Sequence, residues 1–174
     1  MMIELVKQSL WKQFGASIDM LKNAIIMYPE ELWYTDKKFF YNAYHCLIFL
    51  DYYLSVPSKP FSSPLPFTHT DYEHRPVEAI DDAIPNSIYS KSEMIAYLEQ
   101  TRGKCYDLIQ SLTEEKSAER WIEDVESGAM NYAVLELLLY NMRHVQHHAA
   151  QLNLYLRDKI NNAPDWVSRA KEEI

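Results

Sequence analysis

Arg143-His144-Val145-Gln146-His147-His148-Ala149-Ala150-Gln151 holds three of the chain's six histidines. It lies inside the longest helical pattern, roughly residues 131–159, which contains no Pro and no Gly. His144 and His148 are four residues apart, so on a helix they stand on one face, one turn above the other. Two imidazoles at that spacing can share one divalent metal ion. The same pair can equally be ordinary polar residues bordering a groove, and the spacing alone leaves both readings open. His147 lies about 60° round the helix from His144, which reads as a residue beside the site or on the surface rather than a ligand.

The surrounding face supports a packed helix. Leu137, Asn141, His144, His148, Gln151 and Tyr155 form one stripe, mostly polar. Beside it runs a wholly apolar stripe of Leu138, Met142, Val145, Ala149, Leu152 and Leu156. Stripes at this period pack against partners. The polar one therefore borders the core, where polar groups are costly without a partner such as a metal and its water. The two stripes cover more than one seam, which leaves one available to a second subunit, so a homodimer is expected.

Three further long segments have helical periodicity. The first covers about residues 3–27, with Gly15 as a local weakness and Pro29 after its end. The second begins at Asp36, a candidate N-cap, and runs to about residue 56, where Pro57 stops it. His45 lies within it on a face with Tyr41, Ile48 and Tyr52. A lone His on such a face is usually a core residue; with His144 and His148 on another helix, ligation becomes the favoured reading. The third opens on Ser90-Lys91-Ser92-Glu93, a capping-box pattern, and ends near Leu112. A polar stretch, 113–119, precedes Trp121, Ile122 and Val125, and Gly128 precedes the last helix. Asn161, Asn162 and Pro164 end that helix, with Trp166 and Val167 expected to fold back onto the other helices.

Residues 57–90 differ in kind. They hold six of the eight prolines, which rules out a regular helix. Phe61, Phe67, Tyr72 and Ile80 point instead to an ordered crossover packed over the bundle, and long connections of this sort often serve function. His69 and His74 fall here and read as surface residues, with contact to a substrate pocket as the lesser alternative. The expected fold is thus all-α: one domain over residues 1–174, a four-helix bundle with a long Pro-rich crossover between helices two and three.

Composition narrows the function. A formal charge of −8 with no basic patch argues against nucleic acid. No apolar run is long enough to span a bilayer, and no secretory leader is evident. Two cysteines, Cys46 and Cys105, make neither a disulfide framework nor a thiolate cluster, which suits a reducing cytoplasm. A zincin needs Glu directly after the first His, where Val145 stands. Di-iron bundles need Glu three residues before His, a pattern absent here. Three His with an open position would instead make a catalytic type of metal site.

Tyr44-His45-Cys46-Leu47-Ile48-Phe49-Leu50-Asp51, the Pro-rich crossover, and His144-Val145-Gln146-His147-His148-Ala149-Ala150-Gln151-Leu152 together resemble the DinB/YfiT-like superfamily over nearly the whole chain. The resemblance implies an up-up-down-down bundle, frequently dimeric. It also implies a divalent metal (zinc, nickel, iron or manganese) held by His45, His144 and His148. Characterised relatives include S-transferases and isomerases that use low-molecular-weight thiols, so a metal-dependent thiol S-transferase with a small-molecule substrate is one expectation. A non-catalytic, stress-associated bundle that binds metal or a small molecule is the other. Many relatives carry Arg-Gly after the final His; Ala149-Ala150 stand here, which leaves any role of that Arg without a counterpart. By helical phase, Tyr41, Tyr52, Asn141, Gln151 and Tyr155 are expected to line the pocket, with His147 beside it. No catalytic residue is assigned.

Overall fold

A computed structural model of the chain describes residues 2–56, 60–123 and 129–171. Pro57, Val125 and Gly128 lie outside the described residues. The elements in order are α1 (Met2–Met27), α2 (Glu30–Trp33), α3 (Lys37–Tyr53), β1 (Phe67–His69), β2 (Ala83–Pro85), α4 (Lys91–Gln110), α5 (Glu114–Ala118), β3 (Arg120–Ile122), β4 (Asn131–Ala133) and α6 (Val134–Ile160). The protein is mostly helical, as expected. Two small antiparallel sheets are additions: Phe67 pairs with Pro85, and Arg120 with Ala133. Three-residue strands are too short to leave an alternating pattern in the sequence. Residues 131–133, expected in the last helix, form β4 instead.

Helix starts and stops follow local chemistry. Ser90 and Glu93 make the full capping box at the head of α4. Asp36 sits at the N-cap of α3, yet its side chain makes no capping bond; its Oδ2 pairs with Lys159 at 2.9 Å. Asn161 ends α6 in the left-handed region at φ 52°, a conformation Asn tolerates better than most residues. The apolar stripe of α6 is the core face: Leu138, Val145, Ala149, Leu152 and Leu156 are buried with Phe14, Leu21, Ile25, Leu47 and Leu98 from the other long helices. Each such Leu, Ile or Val side chain contributes about 2 kcal/mol of burial free energy.

Contacts give the sense of neighbouring helices. Asn42 meets His148, His45 meets His144, and Asn141 Nδ2 donates to Leu50 O at 2.9 Å, so α3 and α6 run oppositely. Arg102 pairs with Asp19, Lys22 with Glu99, and Lys91 Nζ donates to Tyr28 O, so α4 runs against α1. Tyr97 donates to Asp51 and Lys104 to Ser55, so α4 runs with α3, and α1 and α6, each opposed to one of that pair, ascend together. The first two long helices are therefore antiparallel, which corrects the up-up start of the order implied by resemblance. The reason is length. The link from 28 to 36 contains α2 and reaches at most about 30 Å, short of the roughly 39 Å needed to return along α1. The long crossover 54–90 is the segment that returns the chain from the end of α3 to the head of α4.

Past α6, Val167 packs against the core while Trp166 stays exposed, a correction to the expectation that both fold back. Ala170 N donates to Lys12 O and Trp11 Nε1 to Lys171 O, which straps this segment across α1. Gly15 makes that approach possible: a Cβ there would lie 2.6 Å from the Ala170 Cβ. No helix among the described residues is long and apolar enough to cross a membrane.

Candidate metal centre

Opposed packing of α3 and α6 brings His45, His144 and His148 together. One ring nitrogen from each lies within 4.8 Å of the others, a cluster that could hold a metal ion. Ring centroids are 4.6 Å apart for His144 and His148, 4.7 Å for His45 and His148, and 5.3 Å for His45 and His144. His148 is buried; His45 and His144 are partly buried.

Two of the three rings are aimed by what holds their far nitrogen. Asp81 Oδ2, on the crossover, accepts from His45 Nδ1 at 2.5 Å, which leaves His45 Nε2 facing the cluster. Asp81 Oδ1 accepts the Ala83 N–H at 2.9 Å, so the carboxylate is fixed at both oxygens. Asn42 Oδ1 accepts from His148 Nδ1 at 2.9 Å. The Asn42 amide is oriented in turn by donating Nδ2 to Gln151 Oε1 at 3.0 Å, while Gln151 Nε2 donates to His147 Nε2 at 3.0 Å. His144 Nε2 faces His45 Nε2 at 3.3 Å, and His144 Nδ1 is buried with no hydrogen-bond partner.

The donor set suits a cation that binds neutral imidazole. Burial, then the charges of His148, His45 and His147, push the His144 pKa down to about 3. Burial, then His45 and His147, push His148 down to about 4. Both rings are therefore neutral at pH 7 and have lone pairs to offer. With His45 donating through Nδ1, two Nε2 lone pairs facing each other at 3.3 Å would repel unless a proton or a cation lies between them. These observations fit a divalent metal.

The other expected site residues scatter. His147 is exposed and joined to the site through Gln151 and Asn42. Asn141 is wholly buried and serves a carbonyl of α3. Tyr41 is buried against Phe40, where burial and then the Glu78 charge raise its pKa. Tyr155 lies two turns further along α6, its ring 5.3 Å from the Lys38 ammonium. Tyr52 lines a cavity of about 380 Å³ that abuts the cluster through Phe49, whose ring is 4.8 Å from that of His45. Burial, then the Glu123 carboxylate, push the Tyr52 hydroxyl up to about 12. His69 is exposed and paired with Asp82 at 3.0 Å; His74 is exposed. Cys46 and Cys105 are buried free thiols whose pKa values burial raises, so neither is an available nucleophile.

Asp81 and Asn42 were missed by reasoning from sequence. Asn42 left a signal, since it stands three residues before His45 on the same helix face. Asp81 left none, lying 36 residues along in a segment without periodicity.

Residues 82–159, a little under half of the chain, match the DinB family model, which supports the resemblance to the DinB-like superfamily. The match runs from β2 through α6 and contains His144 and His148; His45 and Asp81 precede it. No curated protein and no solved structure matches the chain.

Proposed function

We propose that His45, His144 and His148 hold one divalent transition metal ion (zinc, nickel, iron or manganese) and that the protein is a metal-dependent enzyme acting on a small molecule. A low-molecular-weight thiol S-transferase is the activity to test first. The observation that carries the reading is the convergence of three imidazoles from two helices, with Asp81 and Asn42 holding the far nitrogens of two of them. A metal bound there would supply Lewis acidity and lower the pKa of a bound water or thiol. The chain's own part is separable. Asp81 fixes the His45 tautomer, and Asn42 does the same for His148. Gln151 keeps the Asn42 amide in the required orientation. Phe49 and Tyr52 wall the adjoining cavity, where a substrate would lose water beside the ligands.

The accompanying architecture is one domain over residues 1–174, a four-helix bundle read as up-down-down-up from the neighbour senses above. With the family resemblance go a homodimer and a cytoplasmic location. The test is elemental analysis of tag-free protein beside His148→Ala, followed by thiol-transfer assays with bromobimane-like electrophiles. About one transition metal per chain, lost in the variant, supports the site. Transfer that depends on it supports the enzyme. Metal without transfer points instead to a non-catalytic metal-binding bundle. No metal in either protein, even after incubation with zinc or nickel, removes the basis of the reading.

A further inference from the structure

The cavity beside the histidines has a chemical character of its own. Phe49, Tyr52, Phe61 and Phe67 supply aromatic walls, and the Tyr52 ring lies 5.3 Å from that of Phe61. Two carboxylates, Glu123 and Asp82, stand on its lining. Among the described residues the lining contains no Lys or Arg, and its one basic group, His69, is engaged by Asp82. Glu123 keeps one oxygen beyond the one that accepts from Tyr52 at 3.2 Å. The cavity adjoins the histidine cluster: Asp82 follows Asp81, the partner of His45, and Phe49, which lines the cavity, has its ring 4.8 Å from that of His45.

Aromatic faces and carboxylates both attract positive charge. A ligand bearing a carboxylate would face Glu123 and Asp82 without a cation to receive it. We infer that this cavity binds an organic cation, an ammonium group on an aromatic or apolar body, as the acceptor substrate presented to the metal centre. The term substrate rests on the metal-enzyme reading; the binding itself does not. An anionic thiol would have to approach the histidines by another side. About 380 Å³ suits a compact molecule of one ring and a short arm.

Benzyltrimethylammonium is the probe, because it carries a permanent charge and no lone pair for a metal; 3-phenylpropionate is its anionic counterpart. Both are titrated by calorimetry and ligand-observed NMR into the full chain at pH 7.5, zinc-loaded and chelator-treated, with metal content measured on each sample. The cation is expected to bind both forms, at least about tenfold more tightly than the anion. Glu123→Gln should weaken the cation several-fold and narrow that gap, and Asp82→Asn should act in the same direction. Equal or tighter binding of the anion, no binding of the cation, or a cation affinity untouched by both variants overturns the inference. Protein that takes up no zinc on incubation yet binds the cation would sink the metal reading alone. Metal-loaded protein that ignores the cation would sink this inference alone.

Discussion

Replacing Asp81 by Asn changes few atoms but removes one of two acceptors that the crossover needs. Asp81 Oδ2 receives the His45 Nδ1 proton at 2.5 Å while Oδ1 receives the Ala83 N–H at 2.9 Å. An amide has one oxygen, so either His45 or Ala83 would face an NH2 group. His45 and Asp81 side chains are 15% and 24% exposed, so water screens this contact only in part. Removing the partner behind a ligating imidazole weakens metal binding about 10–100-fold, or roughly 1.4–2.7 kcal/mol. The assay is competition for zinc against a chromophoric chelator at pH 7.5. Asp81→Asn should fall in that range, with metal-free stability within about 1 kcal/mol of wild type, since a partly exposed bond is being lost. A zinc affinity within twofold of wild type would refute the claim that Asp81 holds a ligand in place.

Acid should destabilise the metal-free protein through the buried imidazoles. His144 and His148 titrate at about 3 and about 4 when folded and near 6.5 when unfolded. Below 6.5 the unfolded chain binds more protons, so stability falls as pH drops from 6.5 toward about 4 and is flat for these groups above 6.5. Urea denaturation at pH 7.5, 6 and 5 measures this, and a double His144→Gln, His148→Gln variant should lose much of the slope; an unchanged slope would count against the burial argument. The two described glycines should respond oppositely to Ala. Gly103→Ala meets nothing within 4 Å and should stabilise α4 by about 0.5–1 kcal/mol, whereas Gly15→Ala collides with Ala170 and Trp11 and should destabilise by about 1–3 kcal/mol. The denaturation midpoints of the pair check this, and a stabilising Gly15→Ala would show that the C-terminal strap is not seated on α1.

Much of the helical framework was legible because its signals are local. The periodicity of α1, α4 and α6, the capping box at Ser90 and the termination around Asn161 depend on neighbours within one or two turns. His144 and His148 were legible for the same reason, since four residues of helix place two rings together. His45 lies on a second helix, so no spacing could link it to the pair; the presence of that pair favoured ligation and resemblance added to it. Asp81 and the lining of the cavity depend on how a Pro-rich segment folds over the helices, and no periodic pattern encodes that. Helix direction had a readable signal that the resemblance obscured: residues 28–36 are too few to carry the chain back along α1. The exposure of Trp166 was not legible, since an apolar residue after a helix end marks a place where the chain can dock but does not oblige it to.

The central claim concerns one atom that three imidazoles would share, and anomalous diffraction tests it most directly. Crystals of zinc-incubated protein, measured on both sides of the zinc absorption edge, should give one strong difference peak per chain among His45, His144 and His148. The peak should lie about 2.0–2.1 Å from one nitrogen of each. A peak elsewhere, or none at those three side chains, would contradict the account and return the histidines to the role of polar residues within the core.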